Sequence, residues 1–252
     1  GYGNERGVGE GIRTCGLKRE EVFVTTKLDA FIKDYDGTQA AIEGSLRRLG
    51  LEYIDLMIIH APQPWTDFRE DDHYFEGNLA AWCAMEKAYK AGRLRAIGVS
   101  NFQQVDIENL LQNGDVRPMV NQILAHVSNT PFPLIDYCRE HDILVEAYSP
   151  MGHGEMTKNR LVQDMANRYG VSVAQLCIRY CLQLNMLPLP KTANPKHMES
   201  NAEVNFEISA QDMEILKNVE RIKNYGEASL FPVYGGKMDE EGNCTPRDFF
   251  KE

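Results

Sequence analysis

Two rhythms of apolar residues alternate along the chain. Short apolar runs bounded by turn residues are followed by longer stretches in which apolar positions fall three and four apart. The first rhythm marks buried strands and the second marks amphipathic helices. The clearest run, YIDLMIIH over 53–60, is almost wholly apolar and ends on His60. Runs at 22–27, 94–99, 119–122, 143–148 and 186–189 have the same form, and two of them end on Lys27 and Tyr148. Helical spacing fills the intervals at 38–49, where Thr38 is the expected cap, and at 79–90, 105–112, 134–141, 159–169, 173–184, 195–202 and 210–222. A first helix follows Asn4, a plausible N-cap, with Val8 and Ile12 on one face. Residues 61–76 have no clear period and read as a long loop, and residues 223–252 read as an irregular tail.

Strand and helix in strict alternation imply βαβ units and a parallel sheet. Polar or aromatic residues at the C-terminal ends of such strands point to a (β/α)8 TIM barrel with its site at one rim. The reading is one barrel domain over 1–252, but only six strands are found. A closed barrel needs eight, so about two βα units, on the order of 40–50 residues, are expected before residue 1.

Composition narrows the function. The chain has 252 residues and a net charge of −10, which argues against a nucleic-acid surface. No apolar run approaches the ~20 residues that cross a bilayer. Six cysteines without a CxxC pair fit a reducing, cytoplasmic setting better than a disulfide framework. Cys177 and Cys181 are at helical spacing with no second ligand pair nearby, so no metal site is expected. Gly7, Gly9 and Gly11 do not form GxGxxG and follow no strand, which removes a dinucleotide fingerprint and leaves close packing or helix ends as their use.

Tyr2, Lys27 and His60 are the candidate chemistry. A phenol can protonate a developing alkoxide, an ammonium beside it would lower its pKa, and an imidazole can orient a carbonyl oxygen. Singly, each has an ordinary reading as a turn aromatic, a solvated strand end or a structural histidine.

Seven fragments in order change that balance: Tyr2-Gly3-Asn4-Glu5 with Val8-Gly9, Thr25-Thr26-Lys27, Ile58-Ile59-His60, Gly98-Val99-Ser100-Asn101-Phe102, Asn121-Gln122, Tyr148-Ser149-Pro150 and Leu189-Pro190-Lys191-Thr192. Together they resemble the aldo-keto reductases, in a form closer to bacterial members than to aldose reductase. The resemblance implies NADPH-dependent reduction of aldehydes or ketones, with Tyr2 as general acid assisted by Lys27 and His60. The family's fourth catalytic residue, an Asp five residues before the tyrosine, would fall before residue 1. The resemblance further implies that Ser100, Asn101 and Gln122 hold the nicotinamide carboxamide and that Tyr148 stacks on its ring. Ser149, Pro150, Met151 and Gly152 would wrap the pyrophosphate through backbone N–H groups. Lys191, Thr192, Asn194, His197 and Asn201 would hold the adenosine end. His197 stands where the family usually has an arginine, so NADPH is expected with weaker discrimination against NADH. Ala61 and Trp65 are the expected substrate-pocket positions for a small-molecule carbonyl compound. Two other readings are a non-catalytic NADP(H)-binding protein of the same fold and a Schiff-base aldolase using Lys27. The sequence leaves the oligomeric state open.

Overall fold

The computed structural model describes residues 1–246. In chain order the elements are α1 (Glu5–Thr14), β1 (Thr25–Leu28), α2 (Tyr35–Leu49), β2 (Ile54–Ile59), α3 (Phe75–Lys90), β3 (Leu94–Ser100), α4 (Gln104–Asn113) and β4 (Val120–Leu124). There follow α5 (Phe132–Glu140), β5 (Leu144–Tyr148), α6 (Arg160–Tyr169), α7 (Val173–Gln183), β6 (Leu187–Leu189), α8 (Pro195–Ala202), α9 (Ala210–Lys217), β7 (Gly236–Met238) and β8 (Cys244–Pro246). Strands β1 to β6 form one sheet in chain order, and β1–β2, β2–β3 and β5–β6 pair in parallel. The chain divides into two compact units, Gly1–Asn121 and Gln122–Glu252.

In the first unit, every residue of β2 is buried, as expected of a parallel strand covered on both faces. Its one charge, Asp55, is paired rather than bare. Its Oδ2 accepts from Arg19 Nη2 at 2.6 Å and from the Val24 backbone N–H at 2.9 Å. Strand register then decides which side chains share a face. Lys27 pairs with Ile58, and Ile58 with Gly98. Side chains alternate with period two, so Lys27, Ile58, His60, Gly98 and Ser100 lie on one face. Lower on that face Leu56, Ile58 and Val120 form a buried cluster flanked by Ala96 and Met119. Gly98 is required there, because a Cβ would stand 2.7 Å from the Val120 carbonyl oxygen. Hydrocarbon therefore fills the lower part of the face and polar groups occupy its C-terminal end.

Helix α1 is fastened to this sheet at two levels. Gly9 lies so close to α2 that a Cβ would stand 1.9 Å from the Leu49 carbonyl oxygen. Glu5, in the first turn, accepts from Thr26 Oγ1 of β1 at 2.7 Å and from Arg48 Nε of α2 at 2.6 Å. Burial opposes ionisation of Glu5, but hydrogen bonds from Thr26, Ser45 and Arg48, with the Arg48 charge, outweigh it and lower its pKa.

Several sequence expectations are corrected. The contact face of α1 runs through Gly9, not through Val8, which is 39% exposed. Helix α2 begins three residues before Thr38, because Asp34 accepts from the Gly37 N–H at 2.7 Å and takes the cap. Thr38 is buried and donates back to the Asp34 carbonyl. The 223–252 tail is not irregular throughout: 3₁₀ turns at Gly226–Leu230 and Pro232–Tyr234 precede the antiparallel β7–β8 hairpin. Strands of three residues are too short to show a period, which is why the sequence hid them. Cys177 and Cys181, four residues apart, are both buried as free thiols on α7.

The α1 contact gives a paired test. Gly9→Ala lowers the unfolding free energy in urea by about 1–3 kcal/mol, because the new methyl meets backbone. Gly11→Ala, where a Cβ meets nothing within 4 Å, leaves stability equal or raises it by up to about 1 kcal/mol. Equal effects at the two positions would contradict the packing described.

Candidate active site

In the first unit, β1, β2 and β3 deliver Lys27, His60 and Ser100 to the same end of one face, and the segment before α1 brings Tyr2 to His60. Gly3 adopts φ 65°, a left-handed turn that links Tyr2 to the helix held by Glu5. The Tyr2 hydroxyl lies 3.5 Å from His60 Nε2, with the rings 5.8 Å apart and tilted by 48°. On its other side His60 meets the Trp65 ring edge-on, at 4.9 Å and 88°. In the tautomer that carries the proton on Nε2, both groups donate, and two donors 3.5 Å apart can share one carbonyl oxygen about 2.8 Å from each.

The electrostatics fix the resting protonation. Burial, then the nearby Lys27 ammonium, push the His60 pKa down to about 3. His60 is thus a neutral imidazole near pH 7 and acts as a hydrogen-bonding group, not as a cation. The Tyr2 phenol is pushed up by burial of its hydroxyl end, although 71% of the residue is exposed. The sequence argument expected Lys27 to lower the Tyr2 pKa. In the structure desolvation by burial sets the direction for Tyr2, and the charge of Lys27 adds to burial in lowering the His60 pKa. Near pH 7 the phenol therefore keeps its proton and the imidazole stays neutral.

Ser100 and Asn101 follow directly. Asn101 takes φ 61°, a conformation its short amide tolerates, and its Nδ2 donates to the His60 carbonyl at 3.0 Å and Ser100 Oγ at 3.2 Å. Both residues are buried. Ala61 is also fully buried, so it contributes backbone rather than an open side-chain surface.

In the second unit Gln122, on β4, donates from Nε2 to Glu146 Oε2 on β5 at 2.7 Å, and both are buried. The Glu146 oxygen accepts from the amide nitrogen, so it holds that end of the Gln122 amide towards β5. Glu146 was missed in the sequence. Its signal was a single acid inside an otherwise apolar run, Leu144-Val145-Glu146-Ala147.

Tyr148 ends β5, and the chain then turns sharply. Ser149, Gly152, His153 and Gly154 all have positive φ. The Gly152 N–H donates to the Ser149 carbonyl at 2.8 Å, so this donor, expected to face a pyrophosphate, is already taken within the turn. Ser149 Oγ pairs with the Tyr234 hydroxyl at 2.8 Å. Pro150 and Met151 lie within the same turn. Lys191 follows β6 and lies near enough to His153 for its charge to add to burial in lowering that imidazole's pKa. The Thr192 hydroxyl accepts from the Asn194 N–H, and Asn194 caps α8 through the Lys196 N–H at 3.0 Å. His197 is exposed in the first turn of α8, and Asn201 is half-buried in its last turn.

Within the second unit, a primary amide held in one orientation, an aromatic at a strand end and a lysine just before a helix N-terminus are groups of the kind a dinucleotide needs. Among the described residues no group of three or more His, Cys, Asp or Glu side chains is arranged to hold a metal ion. No helix among them is long and apolar enough to cross a membrane.

Comparison with known proteins places the chain in a family. The profile of the aldo/keto reductase family matches residues 2–221. A protein of Bacillus subtilis named glyoxal reductase is 39% identical over 226 residues, covering 89% of this chain and 78% of its own length. An aldehyde reductase of Saccharomyces cerevisiae is 34% identical over 246 residues, covering 88% of this chain and 77% of its own. Among solved structures, a Bombyx mori aldo-keto reductase in complex with NADP superposes with a TM-score of 0.78 at 31% identity, over 90% of this chain and 78% of that one. With a family match spanning most of its length and relatives well above 30% identity, the chain belongs to the aldo/keto reductase family.

Proposed function

We propose that this protein reduces aldehydes or ketones to alcohols with NADPH, and that Tyr2 delivers the proton. The observation that carries the reading is the approach of the Tyr2 hydroxyl to His60 Nε2, on the face that also holds Lys27. The relative named glyoxal reductase and the neighbour crystallised with NADP support the activity and the cofactor. Bound NADPH would supply a hydride to the carbonyl carbon. Tyr2 Oη would give its proton to the carbonyl oxygen as the C=O π pair moves onto it, which yields the alcohol. Tyr2 and His60 hold the carbonyl oxygen, and the Lys27 charge stabilises the phenolate left behind. Ser100, Asn101 and Gln122 would hold the carboxamide of the cofactor, and Tyr148 would stack on its ring. Lys191 and Thr192, assisted by Asn194, His197 and Asn201, would hold the 2'-phosphate end, which would favour NADPH over NADH.

The six strands paired in chain order also support a (β/α)8 barrel in which two further βα units complete the sheet.

Two measurements test this. Tyr2→Phe lowers kcat/KM for a panel of small aldehydes by about 10²–10⁴-fold, while NADPH binding followed by fluorescence is unchanged. Retained turnover in Tyr2→Phe would remove the assigned acid.

The second concerns pH. His60 titrates near 3 in the folded protein and near its ordinary 6.5 when unfolded. Between these values the unfolded chain binds the extra proton, so the contribution of His60 to stability is present above pH 6.5 and is lost as pH falls towards 3. His60→Gln flattens that part of the stability profile. It also lowers kcat/KM without removing any ionisation between pH 5 and 8. A break near pH 6.5 in the wild-type rate profile that disappears in His60→Gln would contradict the neutral imidazole.

A further inference from the structure

One lysine close to the site takes no part in the chemistry above. Lys33 precedes α2 and turns inward beneath the β2–α3 loop. Its Nζ donates to the Ala61 carbonyl at 2.8 Å and to Asn78 Oδ1 at 2.8 Å. Because a lysine only donates, the Asn78 amide must present its oxygen to it and its nitrogen elsewhere. That nitrogen donates to the Pro62 carbonyl at 2.8 Å and to the His73 carbonyl at 3.1 Å. Lys33 and Asn78 therefore hold both ends of the loop, directly behind His60.

The rest of the loop is tied within itself. Gln63 is buried, donates to the Glu70 carbonyl at 3.0 Å and accepts from the Arg69 N–H at 3.3 Å. His73 Nδ1 is 2.7 Å from Asp106 Oδ1 at the start of α4. Trp65 sits at the middle of this enclosure, against His60 on one side and Phe68 on the other, with ring centroids 4.9 and 5.4 Å away. Gly77 makes the close approach possible, because a Cβ there would stand 2.8 Å from the Lys33 carbonyl oxygen. Burial lowers the Lys33 pKa to about 7, against the opposing pull of the Asp106 and Asp29 carboxylates. Even as a neutral amine it keeps two N–H donors for its two acceptors.

Burying an amine to tie down a loop is unfavourable unless the loop must hold one shape. We infer that Lys33 is a positioning residue that sets substrate preference: by fastening both the Ala61 carbonyl and Asn78 it holds the 61–74 loop so that Trp65 stands edge-on to His60 and forms one wall for the carbonyl substrate. The inference rests on the carbonyl-reduction reading, since a wall beside His60 matters only if a carbonyl is held there.

The test is Lys33→Met, which keeps the length of the side chain and removes its donors, with Asn78→Leu as a second variant should the first fail to fold. Amide hydrogen exchange is followed across the chain. KM and kcat are measured for one small and one aromatic aldehyde with NADPH. The expected result is exchange faster by about tenfold or more confined to residues 61–74. With it goes a change of about tenfold in the ratio of the two KM values, while kcat and NADPH affinity stay within about threefold of wild type. A residue that only stabilised the fold would speed exchange throughout and leave the KM ratio alone, and that outcome overturns the inference. Faster loop exchange with an unchanged ratio overturns it too. Wild-type protein with no turnover of any aldehyde overturns the carbonyl reading and this inference together, whereas failure of the inference alone leaves wild-type turnover intact.

Discussion

The site depends on one polar clamp. Tyr2 belongs to no strand or helix, so nothing in the sheet fixes it directly. Its place comes from Glu5, three residues on, whose carboxylate joins α1 to Thr26 beside Lys27 and to Arg48 of α2. Gly9 adds the second point of attachment by letting α1 settle onto the end of α2. Two fixed points on a short helix leave the segment before it little freedom, and Gly3 supplies the turn that carries the phenol to His60. A carboxylate bridging a half-exposed arginine and a hydroxyl contributes only about 1–3 kcal/mol. That is modest for the fold and decisive for where a proton donor sits.

The remaining order comes from strand parity. Once Lys27 pairs with Ile58 and Ile58 with Gly98, the alternation of side chains brings Lys27, His60 and Ser100 to one face without further instruction. The buried cluster of Leu56, Ile58 and Val120 closes the space below them. The same crowding sets the electrostatics, because a histidine above packed hydrocarbon and beside an ammonium stays neutral.

The parts legible in sequence were those written locally. Apolar runs ending on Lys27, His60 and Tyr148 mark strands β1, β2 and β5, and the helices between them follow from spacing. The fragments around Tyr2, Ser100 and Lys191 pointed to the family later found over residues 2–221. What stayed hidden needs a partner distant in the chain. Glu146 gains meaning only beside Gln122, and Lys33 only beneath Ala61 and Asn78. Asp34 displaced Thr38 as a cap because the choice between two good capping residues depends on the turn that precedes them. The direction of the Tyr2 pKa was misjudged because burial of a hydroxyl cannot be read from a glycine-rich segment.

The central claim is that Tyr2 and His60 grip one carbonyl oxygen, and the most direct measurement is an experimental structure with NADP⁺ and a carbonyl-containing inhibitor bound. The account predicts an inhibitor oxygen within about 3 Å of both Tyr2 Oη and His60 Nε2, with Trp65 against the rest of the molecule. An oxygen held by other residues, or a Tyr2 ring turned away from His60 when the ligand is bound, would contradict it.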